Sequence, residues 1–248
     1  MKHNTYCIAN WKMCLNKRES IDYIENFLKF DLSINSTQII ICPSFLSLDS
    51  ISSMKQNEIK FGTQDISEYD KGAYTGEVSV SMAEELNCQW SIVGHSERRK
   101  FFGDSNDIVA NKMSQIYNSS LKPILCIGET LDERQSGLTF KILEKQIDDA
   151  FSKVDFSINK NVLIAYEPVW AIGTGMSADI EIIEENMNFI KNFIKKFDGK
   201  NCNICLLYGG SVDKDNASGI YSLKEVSGFL IGTSSLNPET FYSIYKQF

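Results

Sequence analysis

The sequence predicts an α/β fold, a (β/α)8 barrel in which eight parallel strands are ringed by outer helices. Three observations carry this expectation. Eight short apolar segments recur along the chain, at 5–10, 38–42, 59–64, 90–94, 122–127, 162–166, 203–208 and 228–232. Most are apolar at successive positions rather than at alternate ones, which suits strands covered on both faces of a parallel sheet. Segments of helical period lie between them, and the chain has 248 residues, close to the roughly 250 of a closed barrel. The alternative is an open doubly wound sheet, but no G-x-G-x-x-G follows an early strand.

Taken in order, the segments at 5–10, 38–42 and 59–64 open the barrel, and 90–94 supplies its fourth strand. A helix is expected over 105–118, then the strand at 122–127, then one helix over 131–151. The strand at 162–166 is an unbroken apolar run. The helix over 178–197 is the clearest. Ile180, Ile183, Met187, Ile190 and Ile194 follow the spacing of one helix face, with Asp179, Glu181, Glu184 and Glu185 early and Lys191, Lys195 and Lys196 late. That charge order complements the helix dipole, and Gly199 follows as a stop. The last helix opens with Asn237 as N-cap and Pro238 in its first turn. No linker, composition break or low-complexity stretch interrupts the series, so one domain over 1–248 is expected.

Hydrophobic residues make up 43% and charged residues 23% of the chain, the proportions of an ordinary water-soluble protein. The formal net charge of −7 argues against binding nucleic acid or an anionic membrane through bulk charge. No apolar run is long enough to span a bilayer or to serve as a signal peptide, so a cytoplasmic location is expected. Seven cysteines are then reduced thiols. Cys202 and Cys205 form a CxxC, but a strand points them to opposite faces. With two histidines, His3 and His95, no metal site is expected.

Chemistry in such barrels sits at the C-terminal strand ends. Asn10-Trp11-Lys12-Met13 follows the first strand, Gly94-His95-Ser96-Glu97-Arg98-Arg99 the fourth, Glu167 the sixth, Tyr208-Gly209-Gly210-Ser211 the seventh, and Gly232-Thr233-Ser234 the eighth. Taken singly, Lys12 reads as a solvated cation, His95 as a structural histidine and Glu167 as a cap. Taken jointly, they bring one cation, one imidazole and one carboxylate to one pocket mouth, a proton-transfer site. The glycine-rich ends of strands seven and eight suit a phosphate, because they expose backbone N–H groups to an anion. After Glu167, Pro168, Val169 and Trp170 are stiff, and Ala171, Ile172, Gly173, Thr174 and Gly175 are small and pliable. Met176, Ser177 and Ala178 then lead into a helix. That is the composition of a lid with a hinge at each end.

These segments resemble the triosephosphate isomerase family. The run 165–175, Val93 to Arg99 and Asn10 to Met13 match its signatures, as do the segments 73–77, 126–130 and 208–212, all in family order. The resemblance implies a TIM barrel that interconverts dihydroxyacetone phosphate and D-glyceraldehyde 3-phosphate, in glycolysis and gluconeogenesis, without a cofactor. It implies Glu167 as the base, His95 as the group that polarises the carbonyl, and Lys12 as the cation facing phosphate and enediolate. Asn10 would hold substrate oxygens, and Glu97 would pair with Lys12. Phosphate would meet the backbone N–H groups of Gly173, Ser211, Gly232 and Thr233, and the closed lid would rest on Tyr208 and Ser211. The resemblance also implies a homodimer in which the 65–79 loop, with Thr75, Gly76 and Glu77, docks beside Lys12 and His95 of its twin and Cys14 rims the docking pocket. Four residues depart from the usual pattern: Cys14 for Asn, Asp65 for Asn, Met176 for Lys and Thr233 for Gly. Two alternatives are a Schiff-base aldolase, which wants a desolvated lysine deep in a strand, and a scaffold without catalysis. The second would be expected to lose Lys12, His95 or Glu167.

Overall fold

Eight parallel strands close on themselves in chain order. They are β1 (Tyr6–Asn10), β2 (Gln38–Cys42), β3 (Ile59–Thr63), β4 (Trp90–Val93), β5 (Lys122–Ile127), β6 (Lys160–Tyr166), β7 (Cys202–Tyr208) and β8 (Gly228–Ile231). The ring closes where β1 pairs with β8, Tyr6 opposite Gly228 and Ala9 opposite Ile231. This computed structural model describes residues 4–54, 57–171, 178–197 and 199–248. Among them the helices are α1 (Lys17–Phe27), α2 (Phe45–Ser52), α3 (Val80–Glu85), α4 (Ser96–Phe101), α5 (Asn106–Tyr117), α6 (Leu131–Gln135), α7 (Thr139–Phe151), α8 (Ile180–Ile194), α9 (Ala217–Ser222) and α10 (Pro238–Tyr245).

The unbroken apolar runs have a plain cause, for the barrel has two cores. Alternate residues such as Ile8, Ile40, Ile92, Ile124, Leu163 and Leu207 fill the interior. Their neighbours, among them Cys7, Ile39, Val93, Leu125 and Ile164, pack outward against the helices. Both faces of most strands are therefore dry, the start of β7 excepted, where Asn203 is exposed. The CxxC obeys the same alternation. Cys202 faces outward, where its Sγ lies 3.2 Å from the Tyr117 hydroxyl, and Cys205 packs on the interior cluster. All seven cysteines are free.

Two strands begin earlier than their apolar runs. β6 starts at Lys160 because the lysine's amine is satisfied inside the fold, donating to the carbonyls of Ser119 and, at 3.0 Å, Leu121. β7 starts at Cys202, paired across from Lys160. The helix expected over 131–151 is two helices. Gly137 adopts φ +69°, a left-handed conformation that ends α6 and lets α7 restart in a new direction. The stripe of α8 buries Ile183, Met187, Ile190 and Ile194. Its first member, Ile180, stays 39% exposed, because the helix starts at the rim of the barrel rather than over a strand. At α10, the Asn237 side chain accepts from the Thr240 N–H at 2.8 Å, as expected of an N-cap.

Candidate active site

Because all strands run the same way, Asn10, the turn at Gly94, Tyr166 and Tyr208 end at one face of the barrel. A pocket of about 180 Å³ opens there, lined by Asn10, Lys12, His95, Glu167, Ser211, Gly232 and Thr233 among others. The chain thus brings Asn10, Lys12, His95, Glu167, Ser211, Gly232 and Thr233 together from five different strand ends, while Glu97 and Tyr208 lie outside the pocket lining. Gly173 and the lid residues Ile172, Thr174, Gly175, Met176 and Ser177 lie outside the described residues.

Lys12 is presented by a strained backbone. Its φ is +50°, a conformation that costs a non-glycine residue about 1–2 kcal/mol. Three hydrogen bonds hold it there. The Lys12 N–H donates to Asn10 Oδ1 at 3.1 Å, and Gln64 Nε2 donates to the Lys12 carbonyl at 2.7 Å and to the Cys42 carbonyl at 3.0 Å. Gln64 was not legible as a site residue in the sequence, since a lone glutamine at a strand end carries no signal of its own. The Lys12 ammonium meets Glu97 Oε1 at 2.7 Å, and both side chains are partly exposed.

His95 is the N-cap of α4, and its Nδ1 accepts from the Glu97 N–H at 3.2 Å. An accepting Nδ1 leaves the ring hydrogen on Nε2. That Nε2 lies 3.3 Å from Glu167 Oε1. The other carboxylate oxygen of Glu167 accepts from the Ser96 N–H at 3.2 Å. Cys126 is fully buried, and burial pushes its thiol far above the ordinary range, with the charge of Glu167 adding to the rise. Glu167 is 2% exposed.

Two glycines make room for Glu167. A Cβ on Gly128 would fall 1.7 Å from the Glu167 carbonyl oxygen, and one on Gly209 would fall 2.9 Å from Glu167 Cγ. A third, Gly210, leaves space for the Tyr208 hydroxyl, which a Cβ would meet at 2.3 Å. The glycines after strands five and seven thus admit the carboxylate and the tyrosine, a role distinct from offering N–H groups to an anion.

The lid is anchored at its start. Trp170 Nε1 donates to Glu129 Oε1 at 2.9 Å, and the Tyr166 hydroxyl donates to the same carboxylate at 3.2 Å. Asn186 Nδ2 in turn donates to Tyr166 at 2.8 Å. Glu129 is fully buried; burial pushes its carboxyl up, opposed by these donors. Ser211 Oγ donates to the Ala171 carbonyl at 3.0 Å. The Tyr208 hydroxyl is buried, and burial raises that phenol. Glu129 lies in the segment 126–130, but its sequence gave no sign that it holds the lid tryptophan.

At the phosphate end, Thr233 opens a short 3-10 turn, Thr233–Ser235, in which the Ser235 N–H returns to the Gly232 carbonyl at 2.9 Å. The first N–H groups of a helical turn lie outside the turn's own hydrogen bonds and suit an anion. Thr233 is absent from the residues with positive φ, as its β-branched side chain requires.

Cys14, Thr75, Gly76 and Glu77 are all exposed. The loop that carries the last three is organised by itself: Tyr69 and Tyr74 stack at 3.9 Å, and the Ser67 N–H donates to the Val78 carbonyl. Asp65, at its root, is buried in a cluster of charges. It accepts from Arg98 and Lys112, each at 2.7 Å, and Lys112 also reaches Asp104 at 2.7 Å. Desolvation raises the Asp65 carboxyl to about 6, against the pull of Lys112 and Arg98 and with the help of Asp104.

A carboxylate and an imidazole in contact, a facing cation and a phosphate-shaped rim define an enzyme of the (β/α)8 class that moves protons on a small phosphorylated substrate. The triosephosphate isomerase family model matches residues 5–248. Relatives carrying that name include the proteins of Aquifex aeolicus, 43% identical over 97% of this chain and 98% of its own, and Thermodesulfovibrio yellowstonii, 39% identical over 97% and 98%. That of Dictyoglomus thermophilum is 38% identical over 96% and 97%. The chain belongs to the triosephosphate isomerase family.

Proposed function

We infer that this chain interconverts dihydroxyacetone phosphate and D-glyceraldehyde 3-phosphate through an enediolate. The observation that carries the reading is the 3.3 Å contact between His95 Nε2 and Glu167 Oε1 in a pocket that Lys12 also lines. A carbon next to a carbonyl is a weak acid, so the base works only if the developing oxyanion is stabilised as the proton leaves. Glu167 takes the proton from one carbon, and electron density moves onto the carbonyl oxygen. His95 Nε2–H donates to that oxygen, and the Lys12 ammonium faces the same charge. Asn10 holds the substrate oxygens, and Glu97 fixes the lysine. His95 passes a proton to that oxygen and takes one from the neighbouring hydroxyl, and return of the carbon-bound proton to the neighbouring carbon completes the exchange of aldehyde and ketone.

Phosphate meets the N–H groups of Ser211, Gly232, Thr233 and Gly173. Closure of the lid over 168–178 keeps water from an intermediate that would otherwise eliminate its phosphate. The chain acts as a single domain over 1–248, in the cytoplasm, a reading supported by seven free thiols. It works as a homodimer through the 65–79 loop, with Cys14 at the rim of the docking pocket. Met13, Leu46, Met82, Phe101 and Phe102 support this, for all are more than half exposed on loops and helices after β1 to β4, an apolar surface that a partner would cover. No helix among the described residues is long and apolar enough to cross a membrane. A coupled assay of isomerisation tests the reading. Turnover of the purified chain is expected, and its absence from a folded sample would overturn it.

A further inference from the structure

Arg99 stands behind the site, and nothing in the mechanism above uses it. The residue is partly buried on α4. Its guanidinium spans three neutral acceptors: the Gly94 carbonyl at 2.7 Å, Asn106 Oδ1 at 2.6 Å and the Cys126 carbonyl at 3.4 Å. Among the described residues no carboxylate pairs with it directly. Asp149 is reached only through Asn106 Nδ2 at 2.7 Å, and Asp149 already pairs with Lys145 at 2.8 Å. A desolvated cation served only by neutral acceptors leaves its field to act on its surroundings.

The acceptors themselves are informative. Gly94 immediately precedes His95, and Cys126 precedes Ile127, whose carbonyl accepts from the Glu167 N–H at 2.7 Å. One side chain thus ties the ends of β4 and β5 together directly under both reacting groups. The backbone is shaped for it. Gly94 has φ +70°, and a Cβ there would lie 2.8 Å from the Arg99 guanidinium. Burial lowers the pKa of Arg99, and the nearby carboxylates of Glu167, Asp104 and Asp149 oppose that shift.

We propose that Arg99 is a positioning residue, which fixes His95 and the backbone of Glu167 through the carbonyls of Gly94 and Cys126 at the ends of β4 and β5. The inference rests on the isomerase reading.

Two variants separate brace from charge. Arg99→Gln removes the charge, and Arg99→Lys keeps it while losing the three-way fork. The wild-type chain is assayed first, so that failure of the isomerase reading shows as an inactive wild type. For Arg99→Gln, kcat is expected to fall by about tenfold or more with KM within about threefold. For Arg99→Lys, which keeps the charge without the fork, kcat should fall likewise. An active wild type beside a folded Arg99→Gln or Arg99→Lys variant of unchanged kcat overturns the proposal. So does failure of both variants to fold, which would make Arg99 a folding element.

Discussion

Glu167 is constrained by His95 on one oxygen and Ser96 on the other, with Gly128 and Gly209 standing where any Cβ would collide with it. Position is therefore the property to perturb. Glu167→Asp withdraws the carboxylate by one methylene, and a displacement of about 1 Å costs on the order of 100-fold in rate. A steady-state assay should show a large fall in kcat and a modest change in KM; unchanged kcat would mean that another group takes the proton. Gly209→Ala reaches the same end from outside, through a 2.9 Å contact with Glu167 Cγ, and should lower kcat while leaving phosphate inhibition near wild type. At the rim, Thr233 keeps its N–H whatever its side chain, and its φ is not positive. Thr233→Gly should accordingly change the inhibition constant of inorganic phosphate by less than about tenfold, within about 1.4 kcal/mol. A much larger gain would show that the side chain obstructs the anion.

At the scale of elements, every strand was legible because burial on both faces writes a continuous apolar run. The errors fall where polar residues enter a strand, as at Lys160, or where one glycine breaks a helix, as at Gly137. The helices α2, α3, α4 and α9 have six to eight residues, too few turns to establish a period, and gave no signal of their own. α1 is a different case. Its Asn16 and Glu19 form a capping box, so the start was written in the sequence, but the residues after it are too polar to draw attention. The reacting groups were legible because each directly follows a strand. Gln64, Glu129 and Arg99 were not, because they act on other protein atoms and their partners are distant in sequence. The hinge of the lid gives a prediction of this kind. Trp170→Phe deletes the donor to buried Glu129 at 2.9 Å and should loosen closure. Inorganic phosphate released per turnover should rise, measured by a phosphate assay during isomerisation. Release equal to wild type would show that this bond does not govern the lid.

For the whole molecule, Asp65 at the root of the 65–79 loop couples stability to pH. Asp65 titrates near 6 in the fold against an ordinary 3.8. A carboxyl whose folded pKa is raised binds its proton more tightly folded than unfolded. Its contribution to stability is therefore full below about pH 4 and is lost as pH rises through about 6. Asp65→Asn, which mimics the neutral acid and restores the residue usual in the family, should raise the melting temperature at pH 7 and flatten its pH dependence between 4 and 6. A lower melting temperature at pH 7 would show that the ion pairs to Arg98 and Lys112 outweigh desolvation. Sedimentation should find a dimer, and a bulky thiol reagent on exposed Cys14 should dissociate or inactivate it. A fully active monomer would refute the docking of the loop.

The most direct test follows the proton itself. D-glyceraldehyde 3-phosphate is converted by the purified chain in heavy water, and the dihydroxyacetone phosphate formed is examined by proton NMR. If Glu167 carries the proton between carbons and exchanges it with solvent while holding it, product carries deuterium at the carbon that received it. In Glu167→Gln both isomerisation and labelling should collapse. Isomerisation or deuterium uptake persisting at the wild-type rate in that variant would contradict the assignment of Glu167 as the base.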